Sequence, residues 1–424
     1  MSLRLRVLLA PFLFVMIRLS PAVHADDLET VRSRDVLRVG ISGDYQPFSL
    51  CSEQFTDCRG FDVDVAQRVA TDLGVRLELV RFRWPELRAD LSAGKFDVAM
   101  SGVTLRPERT LTATFTRPYT VAQAVVLVAD RERFPSLAAV EQAGVRVAVN
   151  AGGHLEQVAR AHFQTATVQP TAKNLSLPDL VVTKQADALV TDSLEARHFL
   201  AAHPTLSALP GFGRDRKVYV LRRADTTLRE WLDTWLVARE DDGFLPTLRT
   251  HWFGGATHAT PSPLSALFAC LDLRLALMPA VADYKRRFNM PVTDEQQEHA
   301  VLQQVAAHAR EAKLDEQQVQ RLFRVQIELA KQVQRAFLGE QPGRFVFPAW
   351  AQGLDLTTDI RPALLELGTR IVAELARATP ALQERESLLR LSEEEITTSV
   401  LSTAERRQLG EALWRVGQIV GSHE

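Results

Sequence analysis

The 424-residue sequence predicts a multi-domain chain, an α/β domain followed by an all-α domain. Two contrasts along the chain predict it. Over residues 26–255, short β-rich runs alternate with stretches of helical spacing, the pattern of mainly parallel sheets with helices packed on their faces. Over residues 264–424 no strand pattern survives, and the segments carry helical periodicity and helix-forming residues. Between the two, residues 256–263 (Ala256 to Pro263) are short, polar and proline-bearing, the composition of a linker, and predict halves that work apart. A chain this long, 46% hydrophobic, has material for two cores.

Val36 to Ile41 is β-rich, and Phe61, Val65, Val69 and Leu73 then share one helical face. Leu77 to Phe82 reads as strand, Trp84 to Ala93 as helix, and Phe96 to Met100 as strand. The style repeats with Val145 to Val149 as strand, His154 to Phe163 as helix, Ala188 to Val190 as strand and Leu194 to Ala202 as helix. In such folds the ligand sits beyond the carboxyl ends of the strands. In the second half, helices are expected over 264–289, 294–312, 315–339, 360–378, 380–390 and 403–421.

Charge and composition exclude some classes. The formal net charge is −2 with no basic stripe, which argues against nucleic acid and requires any anionic ligand to be held by a few placed cations. Residues 1–25 read as an export signal: Arg4 and Arg6 precede a short apolar run from Val7 to Ile17, and small residues end at Ala25. The run is too short to span a bilayer comfortably, so the mature chain is expected free of the membrane, in the periplasm or secreted. In that oxidising setting Cys51 and Cys58 suit a small disulfide loop. Cys270, in an apolar helical stretch, reads as a buried inert thiol.

Several motifs recur in order in the first half. They are Gly43-Asp44-Tyr45-Gln46-Pro47-Phe48, Gly60-Phe61-Asp62, Gly94 to Thr104, Pro107-Glu108-Arg109, Gly243-Phe244-Leu245 and His251-Trp252-Phe253. Together they resemble the amino-acid-binding type of periplasmic solute-binding protein. The resemblance implies two α/β lobes around a ligand cleft, lobe one holding roughly 26–125 plus 224–255. It also implies that Arg109 grips a ligand carboxylate, for which a planar guanidinium fork is suited, with Thr104 adding a hydroxyl. Gly152 and Gly153, at a helix start, offer backbone N–H groups to an anion; the family often has a threonine or serine next, where this chain has His154. Asp44, Tyr45 and Trp84 are expected to line lobe one, an aromatic wall for an apolar ring.

The stretch Leu189 to Arg197 narrows the resemblance. Transport proteins of this type keep an aspartate at the Asp192 position for an amino group, and three residues on they carry a small or apolar residue. Here that residue is Glu195, which is similar to the cyclohexadienyl dehydratases, in which a glutamate there donates a proton. The chemistry asks for one: prephenate and arogenate lose a ring hydroxyl as water and a ring carboxylate as carbon dioxide, and hydroxide leaves poorly unless protonated. A glutamic acid serves if an apolar cleft raises its pKa.

In the second half Arg274 and Lys285 stand about three helical turns apart. Asp294, Gln297 and Glu298 share a face, Gln326 and Gln334 lie on a later helix, and Arg361 opens another. Singly, each is the charged face of an amphipathic helix. As a set, in order and spacing, they resemble the secreted all-α chorismate mutases. The resemblance implies that Arg274 and Arg361 hold the substrate carboxylates, Lys285 and Gln334 bond the ether oxygen, and Glu298 accepts from the ring hydroxyl. Asp294 and Gln297 complete the site, and Arg361 acts within the same chain. A pericyclic rearrangement needs positioning and charge stabilisation rather than an acid, base or nucleophile.

A mutase makes prephenate and a dehydratase consumes it, so each assignment supports the other. The small-molecule partners implied are chorismate, prephenate and arogenate. No metal or organic cofactor is called for, and a homo-oligomer remains compatible with the sequence. The rival reading is a periplasmic amino-acid-binding receptor domain fused to a helical module, without turnover; such a receptor has no use for Glu195 or for cations inside a helical domain.

Overall fold

The computed structural model describes residues 27–255, 260–339 and 345–420. The expected export signal, residues 1–25, and residues 256–259 of the expected linker lie outside the described residues.

The first half forms two lobes. The first lobe has a five-stranded sheet in the order Arg76–Arg81, Val36–Ile41, Val98–Ala99, Val220–Arg222, Ala113–Phe115. The second has a sheet in the order Thr167–Thr171, Arg146–Asn150, Ala188–Asp192, Thr120–Val128, Ser207–Ala208, with Phe212–Lys217 also pairing with Thr120–Val128. The sheets are mixed rather than mainly parallel. Val36–Ile41 runs parallel to both its neighbours, and Arg146–Asn150 does the same, whereas Val220–Arg222 and Thr120–Val128 pair antiparallel. The reason is the double crossing: a strand entering from the other lobe has no crossover helix to reset its direction. The lobe limits shift accordingly, since Thr120–Val128 belongs to the second sheet and Val220–Arg222 to the first.

The crossings are tied to each other. Thr116 N–H donates to the Tyr219 carbonyl at 2.9 Å and Tyr119 N–H to the Lys217 carbonyl at 3.0 Å. Beneath them the buried carboxyl of Asp62 accepts from Tyr119 and Tyr219 hydroxyls and from Gly102 N–H. Burial outweighs these hydrogen bonds and pushes its pKa up to about 7. Helix Phe61–Leu73 buries Phe61, Val65, Val69 and Leu73 as its spacing predicts, and stops at Gly74, which is left-handed with φ 72°.

The second half is helical: Ser265–Ala276, Met278–Arg287, Glu295–Glu311, Glu316–Leu338, Arg361–Ala378, Arg385–Glu395 and Thr403–Val420. The single helix expected over 264–289 is broken at Leu277. Pro279, in the first turn of the second piece, has no N–H to give the preceding turn. By length and composition Ser265–Arg287 is apolar enough to cross a membrane, yet 89% of that window is buried inside the protein, as in a core helix.

The halves are not merely tethered. Phe96, Phe115, Val218 and Val220 of the first share one apolar cluster with Leu267, Phe268 and Leu271 of the second. Polar contacts cross as well. Thr114 donates to Glu366 at 2.5 Å, Arg370 to the Phe115 carbonyl at 2.6 Å, and Arg216 pairs with Asp272 and Glu395.

Cys51 and Cys58 are bonded to each other across paired strands, and Cys270 is a buried free thiol. Thiol titration of the unfolded, unreduced protein is expected to find one reactive thiol per chain. Loss of the bond in Cys58→Ser is expected to cost roughly 2 kcal/mol, the loop-closure entropy of so short a ring; two additional reactive thiols in the native sequence would contradict the pairing.

Candidate active sites in the cleft and the helical half

The cleft is closed. Tyr45 of the first lobe donates its hydroxyl hydrogen to Asp192 of the second. Asn174 Nδ2 of the second lobe donates to the Asp44 carbonyl of the first at 3.0 Å. The remaining cavity, about 20 Å³, is lined by Tyr45, Trp84, Thr104, Asn150, Gly153 and His154, so ligand entry requires the lobes to part. Gly102 makes room for the aromatic wall: it has φ 61°, and a Cβ there would lie 2.6 Å from the Phe48 ring. Tyr45 meets Trp84 edge-on with ring centroids 5.8 Å apart.

Glu195, the first residue of helix Glu195–Ala202, is fully buried. Its oxygens accept from Asn174 Nδ2 at 2.6 Å and Thr191 Oγ1 at 2.7 Å. Burial, and next the charge of Asp192, hold its pKa well above the ordinary 4.5, against the weaker opposing effect of the two hydrogen bonds. Asp192 accepts from the N–H groups of Leu194 and Glu195 and sits 3.1 Å from Lys217 Nζ. Lys217 also contacts Asp215 at 2.7 Å and the Tyr45 hydroxyl at 3.0 Å.

Other expected cleft residues fall into place unevenly. Arg109 is half-buried and lines a crevice with Thr104, Ala113 and Phe115 rather than the residual cleft cavity; it donates to the Thr104 carbonyl and forms no ion pair among the described residues. Burial pushes its pKa down to about 10, against the pull of the Asp215 charge. Asp44 has a buried Oδ1 with no donor and a raised pKa, chiefly from desolvation. Gly152 departs from its expected role. Its N–H is taken by Glu156 at 2.7 Å, and its lack of a Cβ lets Pro85 of the other lobe close over it. His154 points into the cleft, where desolvation pushes its pKa down to about 4.

In the helical half Arg274, Lys285, Asp294, Gln297, Glu298, Gln334 and Arg361 line one cavity of about 300 Å³ within a single chain. Arg274 lies over the Phe323 ring, its Nη1 donates to the Leu364 carbonyl at 2.7 Å, and burial brings its pKa to about 10. Lys285 Nζ donates to the Val292 carbonyl at 2.5 Å; burial lowers its pKa, against the pull of Asp294 and Glu298. Gln334 offers only a 3.4 Å contact from Nε2 to Met278 Sδ and leaves a buried Oε1 unpartnered, a side chain free to turn to a ligand. Asp294 also caps helix Glu295–Glu311 by accepting from Gln297 N–H. Gln326 is structural, donating to the Leu271 carbonyl at 3.2 Å.

Sequence reasoning missed Lys217, Asn174, Thr191 and Lys331, the last 3.2 Å from Glu298 in the helical cavity. The signal for Lys217 was there: in Arg214-Asp215-Arg216-Lys217 strand alternation puts Asp215 and Lys217 on one face. Nothing local marks Asn174, which reaches Glu195 through the fold.

A closable two-lobed cleft and a helical pocket rich in cations define a ligand-binding chain with two sites. Over residues 37–255 the chain belongs to the bacterial extracellular solute-binding proteins, family 3, and residues 265–335 match chorismate mutase type II. Among its relatives, the cyclohexadienyl dehydratase of Pseudomonas aeruginosa is 36% identical over 230 residues, 53% of this chain and 85% of that protein. The L-cystine-binding protein TcyJ of Escherichia coli is 28% identical over 229 residues, 54% of this chain and 86% of that protein. Among solved structures, the ancestral amino acid-binding protein AncCDT-1, a precursor of cyclohexadienyl dehydratase, superposes with a TM-score of 0.51 at 33% identity, covering 53% of this chain and 99% of that one.

A raised Glu195 pKa has a signed consequence. The folded protein keeps a proton that the unfolded chain releases above its ordinary 4.5. The carboxyl therefore costs stability as pH rises from 4.5 toward the folded-state value, at a limiting slope of about 1.4 kcal/mol per pH unit. Glu195→Gln is expected to gain in Tm relative to the parent as pH is raised from acid to neutral; a Tm difference independent of pH would show that Glu195 is ionised in the fold.

Proposed function

We propose that the chain is an exported bifunctional enzyme: the helical half converts chorismate to prephenate, and the two-lobed half converts prephenate to phenylpyruvate, with arogenate to phenylalanine as a second reaction of the same cleft. The observation that carries the reading is Glu195, a buried carboxyl with a raised pKa, held by neutral donors in a cleft that shuts around it. A binding receptor has no use for such a group, whereas a dehydratase needs an acid of this kind.

Arg109, beside Thr104, supplies a cation for the side-chain carboxylate once the lobes part, and Tyr45 and Trp84 face the ring. Glu195 gives its proton to the departing hydroxyl, which leaves as water. The electron pair of the bond to the ring carboxylate flows into the ring, carbon dioxide leaves, and the ring becomes aromatic. Glu195 is left as carboxylate and regains a proton from water when the lobes open.

In the helical pocket the ether C–O bond breaks as a C–C bond forms, and no proton moves. Arg274 and Arg361 hold the two carboxylates and fold the side chain over the ring. Lys285 and Gln334 meet charge growing on the ether oxygen, while Glu298, oriented by Lys331, accepts from the ring hydroxyl. Gln334 carries no proton to lose, so this step is expected to stay flat across neutral pH.

Chorismate added to the purified protein is expected to yield phenylpyruvate. Glu195→Gln should accumulate prephenate instead, with dehydration down at least about a hundredfold and the mutase step kept. Lys285→Ala should block chorismate but not added prephenate. Binding of amino acids with no turnover of either compound would favour the receptor reading.

A further inference from the structure

The strand Phe212–Lys217, which carries the chain from the second lobe back to the first, is used on both faces. Asp215 and Lys217 face the cleft. Arg216, between them, faces the helical half. It is 6% exposed, with Nη1 3.3 Å from Asp272 and Nη2 2.9 Å from Glu395, and it also donates to the Glu395 carbonyl. Arg214 reaches Glu395 as well, at 2.6 Å. Asp272 in turn accepts from the backbone of Thr397 and Thr398. The cluster thus locks a crossing strand of the cleft to helix Ser265–Ala276.

That helix carries Arg274 two residues beyond Asp272. A second docked helix, Arg361–Ala378, has the same double use. Glu366 and Arg370 bond Thr114, Arg223 and the Phe115 carbonyl, while Arg361 and Gly368 line the helical cavity. The two arginines of that cavity therefore sit on two of the helices fixed to the first half, helix Arg385–Glu395 being held there as well through Glu395. Helices Glu295–Glu311 and Glu316–Leu338, which carry Glu298 and Gln334, make no hydrogen bond or ion pair to it among the described residues.

We propose that Arg216 is a positioning residue for both sites, coupling closure of the cleft to the placement of Arg274 and Arg361. The proposal rests on the reading of the two pockets given above. Closing a two-lobed cleft moves its crossing strands, and this one cannot move without pulling on Asp272 and Glu395, because a buried carboxylate is strongly destabilised by losing its cation. Coupling between binding sites is reciprocal, so a lesion in the cluster that joins the halves should be felt in both.

The test uses the full chain, with steady-state kinetics on chorismate and on prephenate separately, and a thermal melt of each variant. Asp272→Asn lies in the helical half, yet it is expected to raise KM for prephenate at least about fivefold with kcat little changed. Arg216→Met should raise KM for chorismate similarly, and Arg216→Lys should recover most of that loss. Should Arg216→Met fail to fold, Asp272→Asn and Arg216→Lys decide the matter between them. A lower Tm with KM in the opposite half unmoved would overturn the coupling alone. A parent protein that turns over neither compound would overturn the functional reading, and this proposal with it.

Discussion

The chemistry of the cleft depends on where one buried ammonium goes. Lys217 contacts Asp215 and Asp192 and makes no ion pair with Glu195. The carboxyl left out finds only an amide and a hydroxyl. Two acids of similar intrinsic strength, three residues apart on one strand-to-helix turn, are thereby given different work. Asp192 is fixed by two N–H groups and the lysine; Glu195, denied a cation, has its pKa raised. A lysine placed on Glu195 would stabilise the carboxylate and leave the cleft without an acid.

Closure and protonation belong to one event. Glu195 is buried in the closed cleft, and Asn174 links closure to it. The same Nδ2 donates to the Asp44 carbonyl across the cleft and to Glu195 within its own lobe. Parting the lobes removes one partner of Asn174 and lets water reach the carboxyl. In the proposed reaction the acid is used inside the closed cleft, and opening would let the spent carboxylate exchange with solvent.

Much of this was legible in the sequence, for identifiable reasons. Helix Phe61–Leu73 announced itself because an amphipathic helix with a glycine stop is a local pattern. The helical half was legible because periodicity survives in long helices, and its pocket because Arg274, Lys285, Glu298 and Arg361 keep a fixed spacing along elements that converge in one bundle. The mixed pairing of the sheets was not legible: direction at a crossing is decided by a partner more than a hundred residues away, such as Val220 opposite Phe115. Asn174 was hidden for the same reason, and the alternation of Asp215 and Lys217 marked a shared face without naming the carboxylate Asp192 that Lys217 meets. Each looks like a surface polar group until the fold brings a carboxylate to it. The Ala256 to Pro263 stretch spoke for a tether, but a polar linker says nothing about whether the bodies beside it share a core, and here Phe115 and Phe268 do.

The two pockets solve opposite electrostatic problems within a chain of net charge −2. In the proposed reading the cleft keeps an acid neutral by withholding a cation from Glu195. In the same reading the helical cavity attracts a dianion with Arg274, Lys285 and Arg361, and the desolvation of Arg274 and Lys285 strengthens their pull on it. Such cations repel one another unless a rigid frame holds them, and helices Ser265–Ala276 and Arg361–Ala378 get part of that frame from the first half through Arg216, Thr114 and Phe115. Fusion then has a structural meaning beyond bringing two activities onto one chain, since one of the walls that orders the cationic pocket is the back of the cleft that consumes its product.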